Sequence, residues 1–140
     1  MDSKKKLIAE ILQTGARLRV ARDKLLAGFE CTSAKARLLK AIRRVPAPFT
    51  VSELARVTEV SRQTLLPTIH ALESEGLIRL APSPRNPKAR VITLTALGRV
   101  ALERILRVED RWFDDIVRGF DERTLTQTAW VLHVVRERLS

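Results

Sequence analysis

The sequence predicts a mainly α-helical fold that contains one small β-hairpin. Apolar residues recur at spacings of three and four along most of the 140 residues, which is typical of helices with one buried face. Only two short runs, residues 77–80 and 91–94, are typical of strands, and they are separated by a segment rich in proline. Thr, Ser or Asp residues that can cap a helix precede most of the helical runs.

The N-terminal part predicts two helices. Residues 3–29 carry an apolar stripe and a charged opposite face, so we expect one long amphipathic helix. Thr32 is placed to cap a second helix. Pro46 and Pro48 end that helix, because proline has no backbone N–H to donate and its ring clashes with the preceding turn.

The central part predicts a short helix, a turn and a longer helix. Thr50 and Glu53 form a capping-box pattern, in which Thr50 accepts from the Glu53 N–H and Glu53 reaches back to the Thr50 N–H. After a turn at residues 58–60, Ser61 is placed to cap the longer helix. Gly76 ends that helix, since glycine readily adopts the left-handed conformation.

The C-terminal part predicts the hairpin and two further helices. The segment Arg79–Arg90 contains four basic residues and no acidic one, so the prolines and the charge together indicate a stiff, cationic tip. Thr95 is placed to cap a long helix that runs to about Arg118. Asp121 is placed to cap the last helix.

The composition indicates a folded basic protein. Lys and Arg number 26 against 16 Asp and Glu, a formal net charge of +10, although 45% of the residues are hydrophobic. Such a surplus attracts polyanions, and we expect nucleic acid rather than a membrane surface because no apolar run is long enough to span a bilayer. We expect a cytoplasmic protein. Its single cysteine, Cys31, excludes an internal disulfide, and no residue pattern implies a metal or other cofactor.

The order of the elements is that of a helix-turn-helix followed by a wing, so we expect a winged-helix fold that binds double-stranded DNA. On the second helix of the motif, Arg suits guanine edges, Gln suits adenine, and Thr suits a phosphate or a thymine methyl group. The preceding helix and the hairpin can hold phosphates. The candidate DNA contacts are Thr50, Ser52, Ser61, Arg62, Gln63, Thr64, Thr68, Arg85, Lys88 and Arg90.

Four stretches of the chain resemble the MarR family of bacterial regulators, named for multiple antibiotic resistance. They are FTVSELA at residues 49–55, VSRQTL at 60–65, LESEGLI at 72–78 and VITLTALG at 91–98, in the order and at the spacing of the family. The resemblance implies a single domain over residues 1–140, with a DNA-binding body at about 32–98 and dimerisation helices at about 3–29 and 99–139.

The resemblance also implies a mode of action. It implies a homodimer on a palindromic operator, with half-sites about 34 Å apart or a multiple of that distance. It implies repression by occupation of a promoter, and release by a small aromatic or phenolic effector that favours another half-site spacing. The apolar faces of the two terminal helical regions, which a lone winged helix cannot cover, independently favour a homodimer.

The chain departs from the family pattern at two places. An Asp and a basic residue two positions later usually stabilise the wing, and Asn86 and Lys88 stand there in this chain. Asn86 can accept a hydrogen bond but cannot form an ion pair, so we expect a less firmly held wing. Pro67 lies inside the recognition helix and removes one N–H donor.

Several residues leave alternatives open. Cys31 is either a buried, inert thiol, which we favour, or a redox sensor like the cysteine of the peroxide-sensing branch of the family. His70 and His133 are expected to be structural or exposed. A cluster of four basic residues in the second helix either grazes the DNA backbone or only confers solubility; these are Arg37, Lys40, Arg43 and Arg44. The aromatic residues near the C-terminus either form the dimer core or wall an effector pocket; these are Trp112, Phe113, Phe120 and Trp130.

Two other functions, an enzyme and a winged helix without effector control, fit the sequence less well than DNA-dependent regulation. An enzyme is excluded by the lack of a phosphate-binding loop, of a nucleophile with a spaced histidine, and of clustered metal ligands. The alternative is a winged helix used for protein interaction or as an architectural DNA-binding module without effector control. A cationic wing beside a polar recognition helix favours the regulator.

Overall fold

The computed structural model describes residues 2–140 and confirms the mainly helical fold with a small sheet. The elements over these residues are α1 Ser3–Ala27, α2 Ser33–Arg44, β1 Phe49–Thr50, α3 Val51–Thr58, α4 Arg62–Ser74, β2 Ile78–Pro82, β3 Arg90–Leu94, α5 Ala96–Ile116 and α6 Glu122–Arg138. The expected helices are all present, and the fifth ends two residues before the expected position at Arg118.

The side chains that were expected to cap helices do so. Hydroxyl oxygens accept the backbone N–H three residues later at Thr32 (3.1 Å) and Thr50 (3.2 Å), and at Ser61 (3.1 Å). Each bond satisfies one of the N–H groups that the first helical turn leaves without a partner. The capping box at Thr50 is only half formed, because within residues 2–140 Glu53 makes no return bond to the Thr50 N–H.

The sheet contains one strand more than the sequence predicted. Its order is β1-β3-β2 with antiparallel neighbours, and Phe49 pairs with Ile92 in the short strand β1. Two residues before a helix show no periodicity, so only the pairing partner reveals this strand. The hairpin strands are also longer than predicted, because Pro82 and Arg90 still pair at the end next to the loop.

The residues up to Ile105 form one compact unit, which contains the helix-turn-helix, the sheet and the start of α5. Its core takes one or two fully buried side chains from each surrounding element: Leu26, Leu39, Leu54, Ile69, Leu72, Ile92 and Leu102. This core therefore fixes α4 and the sheet in one body.

Gly98 permits a close approach within this unit. A Cβ atom at Gly98 would lie 2.0 Å from the carbonyl oxygen of Leu77 and 2.8 Å from a methyl carbon of Leu94. The same carbonyl accepts the N–H of Thr95 (3.1 Å), and the Thr95 hydroxyl donates to the carbonyl of Gly76 (2.7 Å). The start of α5 is thereby held against the segment that joins α4 to β2.

Residues Leu106–Ser140 form the second unit, which comprises the end of α5 and α6. Asp121 caps α6 by accepting the Thr124 N–H (2.8 Å). Trp112 and Phe113 lie with ring centroids 5.5 Å apart. No residue of α6 is buried.

None of the helices in residues 2–140 is both long enough and apolar enough to cross a membrane.

Candidate nucleic-acid interface

Helices α3 and α4 form the helix-turn-helix. Helix α3 ends at Glu59, whose φ of 56° places it in the left-handed region. The N–H of Val60 then bonds to the carbonyl of Ala55 (3.2 Å), which reverses the chain within three residues before α4 begins. Ser61 is the N-cap of α4, and its hydroxyl also donates to the Thr64 hydroxyl (2.7 Å). Ser61 therefore orients the first turn of the recognition helix.

The C-terminal end of α4 is closed by the expected glycine. Gly76 has a φ of 75°, its N–H bonds to Glu73 (2.9 Å), and the N–H of Leu77 bonds to Leu72 (2.9 Å). This pair of bonds is the Schellman motif, which satisfies carbonyl groups that the helix end leaves open. Both ends of the recognition helix are thus defined by local hydrogen bonds.

The polar residues of α4 point in three directions. At about 100° per residue, Thr64 and Thr68 lie roughly 120–160° around the helix axis from Arg62. Gln63 lies between them, opposite the core-facing residues of α4. Arg62, Gln63 and Thr64 are exposed and Thr68 is half-buried. One side of α4 therefore offers Arg62, the outer face Gln63, and the other side two threonines.

A polar cleft of about 210 Å³ lies between the start of α3, the start of α4 and the end of the hairpin. We call it the wing cleft, and its lining residues are Thr50, Val51, Ser52, Arg62, Asn86, Lys88, Ala89 and Arg90. Half of the ten candidate DNA contacts thus meet at one place, from three separate elements. Three of them are cationic, and no carboxylate lines the cleft. The start of α3 adds the positive end of a helix, so the cleft suits a phosphate group.

Asn86 stabilises the wing through the backbone. Its side-chain oxygen accepts the N–H of Lys88 (3.1 Å), and its carbonyl accepts the N–H of Ala89 (2.9 Å). These two bonds form a tight turn, and a third bond from Ser83 N–H to the Ala89 carbonyl (3.0 Å) closes the loop. Asn86 thereby orders the backbone that carries Lys88 and Arg90 into the wing cleft.

The other candidate contacts lie outside the wing cleft. Arg85 is exposed at the tip of the wing, where its N–H donates to the Ser83 hydroxyl (3.2 Å). Thr64 and Thr68 instead line a second cleft on the opposite side of α4. Gln63 is exposed between the two clefts.

Two further residues lie on the outer face of α4, where they were not expected to be candidate contacts. His70 and Pro67 are exposed, and both lie within about 40° of Gln63 around the helix axis. Counting helical positions from Gln63 would have placed His70 two turns further along the same face.

A largely apolar cavity of about 340 Å³ lies elsewhere in the first unit, between α2, the end of α4 and the start of α5. Lys35 Nζ and Glu75 Oε1 are 2.6 Å apart at its wall, and the guanidinium of Arg104 lies 4.9 Å from the ring centroid of Phe29. Cys31 also lines this cavity and is only half-buried, so the expectation of a buried thiol is wrong. The residue follows the end of α1 and precedes the Thr32 cap, where the chain turns at the surface.

The C-terminal aromatic residues belong to the second unit. Phe113, Phe120 and Trp130 are exposed in the single chain, and Trp112 is half-buried. Their exposure leaves both the dimer-core prediction and the pocket-wall alternative open.

Comparison with known proteins reveals a similarity to one family. The family model described as "MarR family" matches residues 32–86, which include α2, the helix-turn-helix and β2. The chain is 30% identical over 83 residues to the "Transcriptional activatory protein BadR" of Rhodopseudomonas palustris, a match that covers 59% of this chain and 47% of BadR. The match therefore spans about half the length of that relative.

Solved structures extend the similarity to the whole chain. A crystal structure of MarR is 28% identical, with a TM-score of 0.73, and the alignment covers 99% of this chain and 98% of that one. The structure of Streptococcus pneumoniae FabT in complex with DNA has the same fold, with a TM-score of 0.81 at 17% identity and coverage of 98% and 97%. Residues 32–86 of the chain thus resemble the MarR family of transcription regulators, and the whole chain has the fold of solved MarR structures.

Proposed function

We propose that this protein is a homodimeric transcription regulator that binds a specific double-stranded DNA sequence. The observation that carries the proposal is the wing cleft, where Arg62, Lys88 and Arg90 converge from two elements at the start of α3. FabT, which has the same fold, was solved in complex with DNA. A catalytic reaction is not part of the proposal, because the family consists of regulators.

The arrangement divides base reading from phosphate binding. Gln63 and Arg62 lie on the exposed first turn of α4, where their side chains can reach base edges in the major groove. Thr50, Ser52 and Lys88 surround the wing cleft and suit a backbone phosphate. Arg85 at the wing tip suits the adjacent minor groove.

We infer that two copies pair through the terminal helices. In the single chain α1 exposes Leu12 (70%), and the second unit exposes Phe120 (62%) and Trp130 (65%). Large apolar side chains at helical spacing are rarely left in water, and a second copy of the chain covers the same faces on both partners. Two-fold symmetry would then require an inverted repeat in the DNA. Sedimentation equilibrium should give twice the mass of 15.8 kDa, and Trp130→Glu should shift the protein towards monomer.

The apolar cavity is the proposed site of effector control. Its walls are largely apolar, and its charged lining residues are Glu30, Lys35, Glu75 and Arg104. Because Lys35 is paired with Glu75, Arg104 is the cation that we expect to meet the acidic group of a small aromatic or phenolic ligand. Such a ligand would release the operator if it favoured another spacing of the half-sites. A titration with small aromatic carboxylates and phenols should raise the Kd for DNA in the wild type and not in Arg104→Ala.

Repression is the proposed outcome of binding, by occupation of a promoter. Activation is the second candidate, because the relative BadR is named an activatory protein. A reporter placed behind the selected DNA sequence separates the two: deletion of the regulator raises expression under repression and lowers it under activation.

The first experiment is selection of bound sequences from a random DNA pool, followed by titration of the selected and a scrambled duplex at two salt concentrations. Recovery of an inverted repeat supports the proposed regulator. Arg62→Ala should then relax the base preference at one position per half-site, at a cost of about 1–3 kcal/mol. Lys88→Ala should weaken selected and scrambled DNA alike.

Arg43→Ala is the matched control, because it removes one positive charge at a residue bonded to Glu103 and outside the wing cleft. Uniform, salt-sensitive binding with no recovered motif would favour an architectural module. A lack of DNA binding by a stable dimer would favour a protein-interaction module.

A further inference from the structure

The structure separates four of the five basic residues of α2, Arg37, Lys40, Arg43 and Arg44, which the sequence could not rank. Arg43 donates to Glu103 on α5 (2.7 Å), and Lys40 is half-buried and engaged with other groups. Arg44 lies beside Pro46 and Val57, at the C-terminal end of the helix. Of the four, only Arg37 shares a cleft with the recognition helix.

This second cleft has a volume of about 140 Å³ and lies between α2, the α3–α4 turn and α4. Its lining residues are Ala34, Arg37, Leu38, Thr58, Val60, Thr64, Leu65 and Thr68. Arg37 is its one charged lining residue, and it is exposed. Within residues 2–140, the Arg37 side chain makes no ion pair or hydrogen bond, so its guanidinium has all its donors available.

The two clefts lie on opposite sides of the recognition helix. Arg62 faces the wing cleft, whereas Thr64 and Thr68 face the second cleft, roughly 120–160° away around the helix axis. A helix in the major groove lies between two phosphate backbones, since the groove is about 12 Å wide. Cationic side chains on both sides of α4 therefore match the negative charge on both sides of the groove.

We propose that Arg37 binds a DNA phosphate on the side of the major groove opposite to the phosphate held by the wing cleft. The inference rests on the proposed function and adds a positioning contact to it. Phosphate contacts on both sides fix the rotation of α4 in the groove, and with it the bases that Gln63 reaches.

Helix α2 is packed firmly against α4, so a contact between Arg37 and a phosphate is held in place. Leu38 of α2 and Leu65 of α4 are both buried, so the two helices are packed together. Lys35, two residues before Arg37, bonds to Glu75 at the end of α4 (2.6 Å). Because α2 is packed on α4, a phosphate bound by Arg37 also fixes the position of α4.

The test compares the salt dependence of binding to the selected duplex for the wild type, Arg37→Ala, Arg37→Lys and Arg43→Ala. Loss of one phosphate contact reduces the slope of log K against log salt by about 0.9 per protomer, which corresponds to about eightfold weaker binding per protomer at 0.1 M salt. Arg37→Ala should lose this amount on selected and scrambled DNA alike. Arg37→Lys should retain most of the slope, and Arg43→Ala should retain the wild-type slope. Circular dichroism and sedimentation verify that each exposed-site variant stays folded and dimeric.

A second readout locates the phosphate. Single methylphosphonate substitutions, which remove one backbone charge at a time, should reveal one position per half-site where the wild type loses affinity and Arg37→Ala does not. The same scan with Lys88→Ala should identify a phosphate across the same major groove. An unchanged slope in Arg37→Ala, an equal loss in Arg43→Ala, or both phosphates on one side of the groove would overturn the inference while leaving the regulator intact. Absence of sequence-selective binding by the wild type would overturn both proposals.

Discussion

The substitution Gly98→Ala tests whether the start of α5 holds the C-terminal end of the recognition helix, α4, in place. The added methyl group would lie 2.0 Å from the Leu77 carbonyl oxygen, 2.9 Å from the Leu77 carbonyl carbon and 2.8 Å from a methyl carbon of Leu94. Two of these three neighbours are backbone atoms, so no side-chain rotation can relieve the contact. Either the start of α5 or the segment after α4 has to move.

The loss of stability in Gly98→Ala can be estimated from the packing and the hydrogen bond that this movement disturbs. Forcing a methyl group into a packed position costs about 1–3 kcal/mol. Displacing the Leu77 carbonyl weakens its bond from the Thr95 N–H (3.1 Å), and the loss of one hydrogen bond between half-buried residues costs about another 0.5–1.5 kcal/mol. We therefore expect the free energy of unfolding to fall by about 1.5–4.5 kcal/mol, which for a chain of this length lowers Tm by about 5–15 °C.

Thermal and urea unfolding, followed by circular dichroism, measure this change. Gly15→Ala is the matched control, because a Cβ at Gly15 has no neighbour within 4 Å and alanine in a helix interior is about 0.5–1 kcal/mol more favourable than glycine. The two glycine-to-alanine changes should therefore have opposite signs. A Tm for Gly98→Ala within about 2 °C of the wild type, against the expected fall, would show that this contact does not hold α5 to the end of α4.

Four further predictions concern single side chains. Ser61→Ala removes the cap of α4 and should cost about 1 kcal/mol of stability by urea unfolding, with Ser61→Asp restoring it. Asn86→Ala should weaken DNA binding through disorder of the wing, whereas Asn86→Asp keeps the turn acceptor; a wild-type Kd for Asn86→Ala would contradict the role of the turn. Hydrogen bonds from Thr124 hold the pKa of Asp121 below its ordinary value of 3.8, so this stabilisation of α6 is present above that pH and is lost as the pH falls through the lower folded value; an NMR titration of Asp121 checks the direction, and a value above 3.8 would refute it. Treatment with peroxide should leave the Kd for DNA unchanged in both the wild type and Cys31→Ser, and a loss confined to the wild type would restore the redox alternative.

Local signals in the sequence predicted the helix boundaries well. The caps at Thr32, Thr50 and Ser61 and the left-handed Gly76 depend on hydrogen bonds that close within three to five residues, so the residue types predict them. Strand β1 could not be predicted in the same way, because its two residues form a strand only through pairing with β3. Long-range pairing leaves no periodic signal in two residues.

In the candidate site too, the sequence predicted features that depend on local residues but not those that depend on contacts between distant elements. The sequence predicted Arg62, Lys88 and Arg90 as candidate DNA contacts by type and position, and the structure brings them to one cleft. It could not show that Arg37 lies beside α4, because that neighbourhood depends on the crossing of two helices rather than on spacing within one. The sequence led us to expect a less firmly held wing, because Asn86 lacks the charge of the usual Asp. The structure shows that the Asn86 side-chain oxygen nevertheless accepts a backbone hydrogen bond that orders the turn.

The junction between the C-terminal end of α4 and the start of α5 limits how an effector could act. Its C-terminal end is joined to the start of α5 by the Thr95–Gly76 bond (2.7 Å) and by the close approach at Gly98. Glu75 and Leu77, which border this junction, also line the apolar cavity. A ligand there would therefore press on a rigid joint, and packed joints of this kind move as bodies rather than bend. We expect an effector to change the spacing between the two recognition helices of a dimer while leaving the base preference of each half-site intact. Selection of DNA in the presence of effector would then return the same half-sites at a different separation, whereas altered half-sites would mean that α4 itself is deformed.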